Sequence, residues 1–341
     1  MPSSPTVAVI GAGIAGLNCA RGLVEDGATV TVFDKGRGVA GRASTRRFDA
    51  DPARGWDHGA ICFLAEDEDF LAELRRWLDA GIVAPWPIAP AAPGEAELDP
   101  RELLEPGFSS SWVGVPSMSA IARHLAAGLK VRCAHRVTQL RRENDAWFLQ
   151  IETPEGAQEE GPFDELVLTA PPPQSRALLE GVDPALAELL VQPWIQPSWA
   201  LLAVTESVDA PVPIRRVGPG HLPDGVASLV CEDSKPGRKP HPEGMRWLLQ
   251  ATAGWSHQHL ELDADAAQAL LVRKLEEALG IPVRSAQAHR WRYARVHRPL
   301  GRDFLREAEA RITLAGDFCR GDGIESAWLS GRAAAQAIRE A

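Results

Sequence analysis

The chain has 341 residues, 45% of them hydrophobic and 24% charged, the mix of an ordinary globular enzyme with enough length to bury a core without staples. At about 150 residues per domain, two domains are expected. Acids outnumber bases by 46 to 36 for a net charge of −10, and no basic tail or cluster breaks that balance, which disfavours nucleic-acid and anionic-membrane partners.

The first element is the unbroken apolar run Val7-Ala8-Val9-Ile10, the pattern of a parallel strand buried on both faces. The apolar stretch Val7 to Ala20 is interrupted by Gly11, Gly13 and Gly16 and has no positively charged lead-in, so neither a spanning helix nor a signal peptide is expected. Helical periodicity runs from Ile14 to about Glu25 and stops near Gly27, a suitable C′ residue. The β-branched run Thr29 to Phe33 then ends at Asp34, completing a compact βαβ unit.

Further on, Asp67 to Ala80 reads as an amphipathic helix with Phe70, Leu71, Leu74, Trp77 and Leu78 on one side. Pro85 to Pro106, rich in Pro, Ala and Glu, reads as a surface excursion. A short helix is expected over Met118 to Leu129, strands over Val131 to Leu140, Trp147 to Glu152 and Leu166 to Thr169, and a stop at Pro171, Pro172 and Pro173. Ala200 to Val204 and Trp247 to Ala251 read as core strands separated by a Gly/Pro-rich loop, His221 to Gly244. Asp263 caps a helix that runs to Leu279 and ends at Gly280 and Pro282. Ile312 to Ala315 is a buried strand and Ser326 to Arg339 the last helix.

This order predicts an α/β fold: a Rossmann-like, doubly wound nucleotide domain assembled from residues 1–80, 114–175 and 295–341, with an inserted α+β substrate domain made of 81–113 and 176–294. The five cysteines (Cys19, Cys62, Cys133, Cys231, Cys319) are scattered without a C-x-x-C pair, as suits a reducing, cytoplasmic setting. His241, His257 and His259 have no acidic partner at ligand spacing, so no metal is expected.

Gly11-x-Gly13-x-x-Gly16 sits between a strand and a helix. Gly11 makes the tight turn, Gly13 lets backbone approach a pyrophosphate, and Gly16 lets helix and strand pack closely. The first-turn N–H groups of Ile14, Ala15 and Gly16 supply phosphate donors, and Asp34 is placed to accept ribose hydroxyls. An acid there favours an unphosphorylated ribose, hence FAD or NAD. Lys35 to Arg47 forms a second Gly/Arg segment, where Lys35, Arg37, Gly41 and Arg42 are candidate cofactor contacts, the two arginines for the pyrophosphate. Val137 joins that set. Near the other end, Gly316-Asp317 follows a strand, and Glu325, Ser326 and Ala327 open the last helix. Asp317 can hold ribityl hydroxyls, and the helix N-terminus can face the flavin N1–C2=O edge, where negative charge develops on reduction.

The segment from Phe33-Asp34-Lys35-Gly36-Arg37-Gly38 to Gly41-Arg42-Ala43-Ser44-Thr45-Arg46 resembles the FAD signature of the renalase branch of the monoamine-oxidase-like flavoproteins. Trp56-Asp57-His58-Gly59-Ala60 resembles the step which that family places against the flavin, which implies cofactor contacts at His58, Gly59 and Ala60. Val113 to Ser119, His289 to Ala294, and Leu314 to Asp317 with Ala327 to Ala334 extend the likeness over nearly the whole chain. Two departures stand out. The usual glycine pair before Arg42 is Ala40-Gly41 here, so the first position must tolerate a methyl group. Cys319 does not fall in the sequence context of a flavin tether, so a non-covalent FAD is expected. None of the five lysines (Lys35, Lys130, Lys235, Lys239, Lys274) lies where amine oxidases hold a lysine-bound water at flavin N5.

The resemblance implies oxidation of misreduced dihydronicotinamide dinucleotides, the 2-dihydro and 6-dihydro isomers of NAD(P)H, with electrons passed to O2 to give hydrogen peroxide. Trp291 and Tyr293 are the expected stacking residues, with His58 near the ring and Arg292 and His289 as polar contacts. Lys235, Arg238 and Lys239 fit either phosphate contacts at a domain cleft or a solvated face. The expected partners are a dinucleotide substrate and O2, with no nucleic acid and no membrane, and the chain a monomer or weak dimer. An amine or polyene oxidoreductase of the same superfamily, a flavin-binding redox sensor without turnover, and an NAD-dependent dehydrogenase remain as other readings.

Overall fold

Apolar runs with no polar alternation need cover on both faces, and in the computed structural model they form the interior of a parallel sheet. The structure describes residues 4–47, 49–86, 99–104, 110–207, 216–217 and 222–341, so most of the expected Pro85–Pro106 excursion, and His221, lie outside it. The chain divides into two compact units, one of Met1–Arg42, Ala122–Ile195 and Val296–Ala341, the other of Ala43–Ile121 and Gln196–Arg295. These divisions fall elsewhere than the boundaries expected from sequence. Residues 43–80 and 114–121 pack in the second unit, where Trp56 Nε1 donates to Ala203 O and Met118 N donates to Asp57. Residues 176–195 belong to the first, because Leu179, Leu186, Ala187 and Leu190 enter its core.

The first unit is built on a six-stranded sheet in the order Leu305–Glu307, Ile312–Leu314, Glu165–Leu168, Thr6–Ile10, Thr29–Phe33, Lys130–Arg132. All neighbours are parallel except the first pair. The helix Ile14–Glu25 packs on the last helix, Ile324–Arg339, so closely that a Cβ on Gly331 would lie 2.2 Å from Ala15 O. The expected strand Val131–Leu140 is broken. Ala134, at φ +58°, turns the chain out of the sheet edge, and Arg136–Glu143 instead begins a three-stranded antiparallel sheet with Ala146–Thr153 and Gly156–Phe163. Nor do the prolines end the pattern, since Pro172 opens the helix Pro172–Leu179, a position where its missing N–H costs nothing.

The second unit holds a five-stranded sheet, Arg216–Val217, Val226–Cys231, Met245–Ala251, Trp194–Thr205, Val283–Arg298. Within the expected Gly/Pro loop the apolar run Val226–Cys231 pairs with Met245–Ala251 as a core strand. The helix Ala264–Leu279, capped by the Asp263 carboxylate on Ala266 N and closed by left-handed Gly280, buries Ala267, Leu271 and Leu275 against one sheet face. The helix Glu68–Asp79, capped by Asp67, buries Phe70, Leu74 and Trp77. No described helix is long and apolar enough to cross a membrane.

Ala40 is buried with φ +107°, a conformation that strains any residue with a Cβ. Its N–H is tied to Ala12 O at 2.9 Å, which holds the backbone there. Ala40→Gly is expected to stabilise the protein by up to about 1 kcal/mol, relief of strain exceeding the extra freedom of glycine in the unfolded chain. Urea midpoints measure it.

Candidate functional site

The three glycines of the first turn are glycine for different reasons. Gly11 sits at φ +117°, and a Cβ there would lie 2.4 Å from Thr169 Oγ1; a Cβ on Gly16 would lie 2.0 Å from Gly11 O. The fold itself therefore requires both. Gly13 has φ −80°, which any residue adopts, and a Cβ on it would meet nothing within 4 Å. The protein leaves a space there that it does not fill. Above that space stands the N-terminus of Ile14–Glu25, with no side-chain cap and no acid in its first turn. The N–H groups of Ile14, Ala15 and Gly16 fall outside the helical ladder, and the helix dipole is positive at this end. Room, donors and field together fit a pyrophosphate.

Asp34, at the end of the next strand, is held by two backbone donors, Ala12 N on Oδ2 at 2.7 Å and Gly36 N on Oδ1 at 2.6 Å. A carboxylate has about four acceptor positions, so each oxygen keeps one for a ribose hydroxyl. Lys35 is exposed and donates to Gln174 Oε1 at 2.9 Å, while Arg37 is exposed with no partner among the described residues. Gly41, at φ +51°, lies beside Gly13. Val137 is half-buried against the core, at a point where the strand register slips between Val137 and Gln139.

Arg42 and Asp317, 275 residues apart, meet in the first unit at 2.6 Å. Gly316 N donates to Ser330 Oγ at 2.9 Å, which fixes the strand-to-helix passage. Burial pushes the Asp317 carboxyl up, and Arg42 opposes that. The last helix begins at Gly323, again without a side-chain cap, so the N–H groups of its first turn at Ile324, Glu325 and Ser326 lack helical acceptors. Ala327 N donates to Gly323 O and closes the first turn.

In the second unit His58, His289 and Trp291 form one aromatic cluster. The His58 ring lies 4.7 Å from His289 and 5.1 Å from Trp291, and Trp291 Nε1 donates to His58 O at 2.9 Å. Gly59, half-buried, accepts from Gln250 Nε2 through its carbonyl, and Ala60 is likewise half-buried. Strand alternation sorts the rest. Ala286 and Ala288 face the helical core and Arg290 lies on Trp199, whereas His289 and Trp291 face the other way. Tyr293 shares their parity and is half-buried. Arg292, expected as a polar contact of the ring, has the opposite parity and is clamped in two bonds to Glu261, at 2.7 and 2.8 Å. It is not part of the cluster.

Burial pushes the His58 imidazole down to about 4, with His289 and Arg46 acting in the same direction, and burial lowers His289 as well. Both rings are therefore neutral near pH 7. A ring kept neutral in the fold but titrating at its ordinary 6.5 when unfolded contributes stability that is complete above that pH and is lost as pH falls toward 4. His58→Gln is expected to flatten the decline of the urea midpoint across that window relative to the parent.

Beside this cluster lies a buried charge network joining residues far apart in the chain. Asp57, Glu232, Lys235 and Arg238 form a fully buried charge network. Lys235 Nζ reaches Asp57 Oδ2 at 3.0 Å and Glu232 Oε1 at 2.8 Å; Arg238 donates to Asp57 and to Gly114 O. Asp57 also accepts from Thr45 Oγ1 and Met118 N. Burial acts to raise the Asp57 carboxyl, but Arg238 and Lys235 hold it well below the usual range; Glu232, bonded to Lys235 through Oε1 and with Oε2 unbonded among the described residues, is pushed up by burial. Lys235 and Arg238 are thus neither solvated nor phosphate contacts, because their charges are consumed inside. Lys239 is the exposed member of the trio, paired with Asp51 at 2.7 Å. His257 lies in the last turn of the short helix Ala253–Gln258, and His259 stacks on Trp255 at 4.2 Å.

Residues 78–339 match the flavin containing amine oxidoreductase family, and residues 9–77 match an NAD(P)-binding Rossmann-like domain. The chain belongs to the flavin containing amine oxidoreductase family. Solved structures agree on the fold. A candidate protoporphyrinogen oxidase from Exiguobacterium sp. 255-15 superposes with a TM-score of 0.72 at 15% identity, with 99% of each chain covered. Cyclohexylamine oxidase from Brevibacterium oxydans IH-35A gives 0.68 at 14% identity, again over 99% of both chains. Membership of this family makes the chain a flavin-dependent oxidoreductase.

Proposed function

We propose that this flavin containing amine oxidoreductase is an oxidase of the renalase-like branch, acting on the 2-dihydro and 6-dihydro isomers of NAD(P)H. When bound, FAD would supply the two-electron redox chemistry, with hydride leaving the dihydropyridine as NAD(P)+ is released and the two electrons reaching O2, together with that hydrogen and one proton from solvent, as hydrogen peroxide. Gly13, the first turn at Ile14–Gly16, Asp34, Arg42, Asp317 and the helix start at Glu325–Ala327 would hold it. Cys319 supports a non-covalent cofactor, since burial pushes its thiol up to about 12 and it lies fully inside the first unit.

The observation that carries the substrate reading is the uncharged character of the His58–His289–Trp291 cluster. Two imidazoles held neutral offer stacking surface and no negative charge. The nearest carboxylate in sequence, Asp57, is committed to Lys235 and Arg238. Such a surface suits a planar neutral dihydropyridine better than an ammonium ion, and hydride removal from that ring needs no general base. Anaerobic mixing tests it. The dihydronicotinamide isomers are expected to bleach the flavin while primary amines leave it oxidised. Bleaching by amines alone would replace this reading with amine oxidation.

A further inference from the structure

The face of the strand Val283–Arg298 that presents His289 and Trp291 continues, at the same parity, through Gln287 and Ser285. These two residues border a cavity of about 300 Å3, open to solvent, which is also lined by Arg46, Arg47, Trp56, Leu202, Val204 and Ala286. Both arginines are exposed, on the short strand paired with Gly55–Trp56. Neither side chain has an ion pair or hydrogen bond with any described residue. That sets them apart from their neighbours: Arg54 pairs with Asp49, Arg284 with Glu206, Arg292 with Glu261, and Lys239 with Asp51. In a chain of net charge −10, two arginines at a concave site that no described carboxylate lines are an anion-binding arrangement, and planar forked donors match phosphate oxygens in pairs.

We infer that Arg46 and Arg47, with Gln287 and Ser285, form a subsite for a phosphate group of the donor whose ring lies on the His58–His289–Trp291 cluster. This deepens the proposed function and rests on it for the identity of the ring. The spacing fits. Gln287 and Trp291 are four strand residues apart, about 13 Å at the usual rise, a span covered by an extended ring–ribose–phosphate ligand together with the reach of an arginine side chain. Ser285 and Gln287 of the cavity and His289 and Trp291 of the cluster share one parity of the same strand, so the cavity and the aromatic cluster lie along one strand face. The donor recognised is a nucleotide, and its dephosphorylated riboside is the poorer ligand.

Calorimetry on the FAD-loaded protein at low salt, with nicotinamide mononucleotide and nicotinamide riboside as probes, tests this. The cofactor then occupies the Gly13 cradle and cannot contribute. The parent is expected to bind the mononucleotide about tenfold or more tighter than the riboside. Arg46→Gln/Arg47→Gln is expected to reduce that preference to about twofold or less with FAD retained, and Arg46→Lys/Arg47→Lys to lie between, since lysine keeps charge but not the fork. Equal affinities in the parent, no binding of either probe, or a preference that survives in the double glutamine variant would each overturn the subsite. Inorganic pyrophosphate separates the two claims. If it competes with the mononucleotide in the parent but no dihydronicotinamide bleaches the flavin, the subsite stands and the proposed donor falls. Bleaching by phosphorylated and unphosphorylated donors with equal efficiency leaves the donor standing and sinks the subsite.

Discussion

Gly13→Val is expected to give a folded, colourless protein. The position has an ordinary backbone conformation and open space where the new side chain would go, so its folding cost is that of a poorer helix cap, about 1 kcal/mol or less. The same side chain occupies the volume a pyrophosphate needs and separates it from the helix N–H groups. Losing two charge-assisted hydrogen bonds at about 1.5–3 kcal/mol each weakens FAD by about a hundredfold or more. Gly16→Ala is the contrast. Its Cβ would lie 2.0 Å from Gly11 O, so this substitution strikes the fold first, by about 1–3 kcal/mol. Urea titration and flavin absorbance on the purified variants separate the two effects. A yellow Gly13→Val protein would remove the cradle from the cofactor site.

Lys235→Met is expected to be the most destabilising single change outside the apolar cores, about 3–5 kcal/mol. Among the described residues it leaves Glu232 buried with no donor and Asp57 with Arg238 as its remaining cation. The double variant Lys235→Met/Glu232→Met should recover at least half of that loss, because removing both members of a buried pair leaves no stranded charge. Recovery would show up as a return of the urea midpoint. If the single variant costs no more than a surface substitution, the network contributes nothing to stability.

Much of the architecture is legible in the sequence where burial is uniform along an element. Val7–Ile10, Thr29–Phe33 and Ile312–Leu314 are apolar at nearly every position because parallel strands are covered on both faces, and Asp67 and Asp263 cap their helices as their position ahead of periodic runs suggests. The glycine turn and Asp34 are equally readable, since local chain geometry demands them. What escapes is non-local or half-buried. Val283–Arg298 has solvent contact on both faces and four arginines at even positions, which hide its alternation; the same parity rule would have set Arg292 apart from Trp291. Val226–Cys231 is apolar enough to read as a strand, but it sits among glycines and prolines that suggest a loop. The charge network joins residues 178 positions apart. Nothing local marks a lysine in a Gly/Pro segment for burial, apart from the i,i+3 spacing of Glu232 and Lys235 that a short helix makes useful.

The strand order has a consequence for biosynthesis. Thr6–Ile10 is synthesised well before one of its neighbours, Glu165–Leu168, and that strand's other neighbour, Ile312–Leu314, is made later again. The helix that packs on the first βα turn emerges later still. The growing polypeptide therefore carries an incomplete, sticky sheet until Ile312–Leu314 has been made, and a chain cut short before that strand cannot close it. Demand for chaperones during synthesis follows from this wiring, and a nick ahead of Ile312–Leu314 should be far less well tolerated than in a protein whose sheet is finished early.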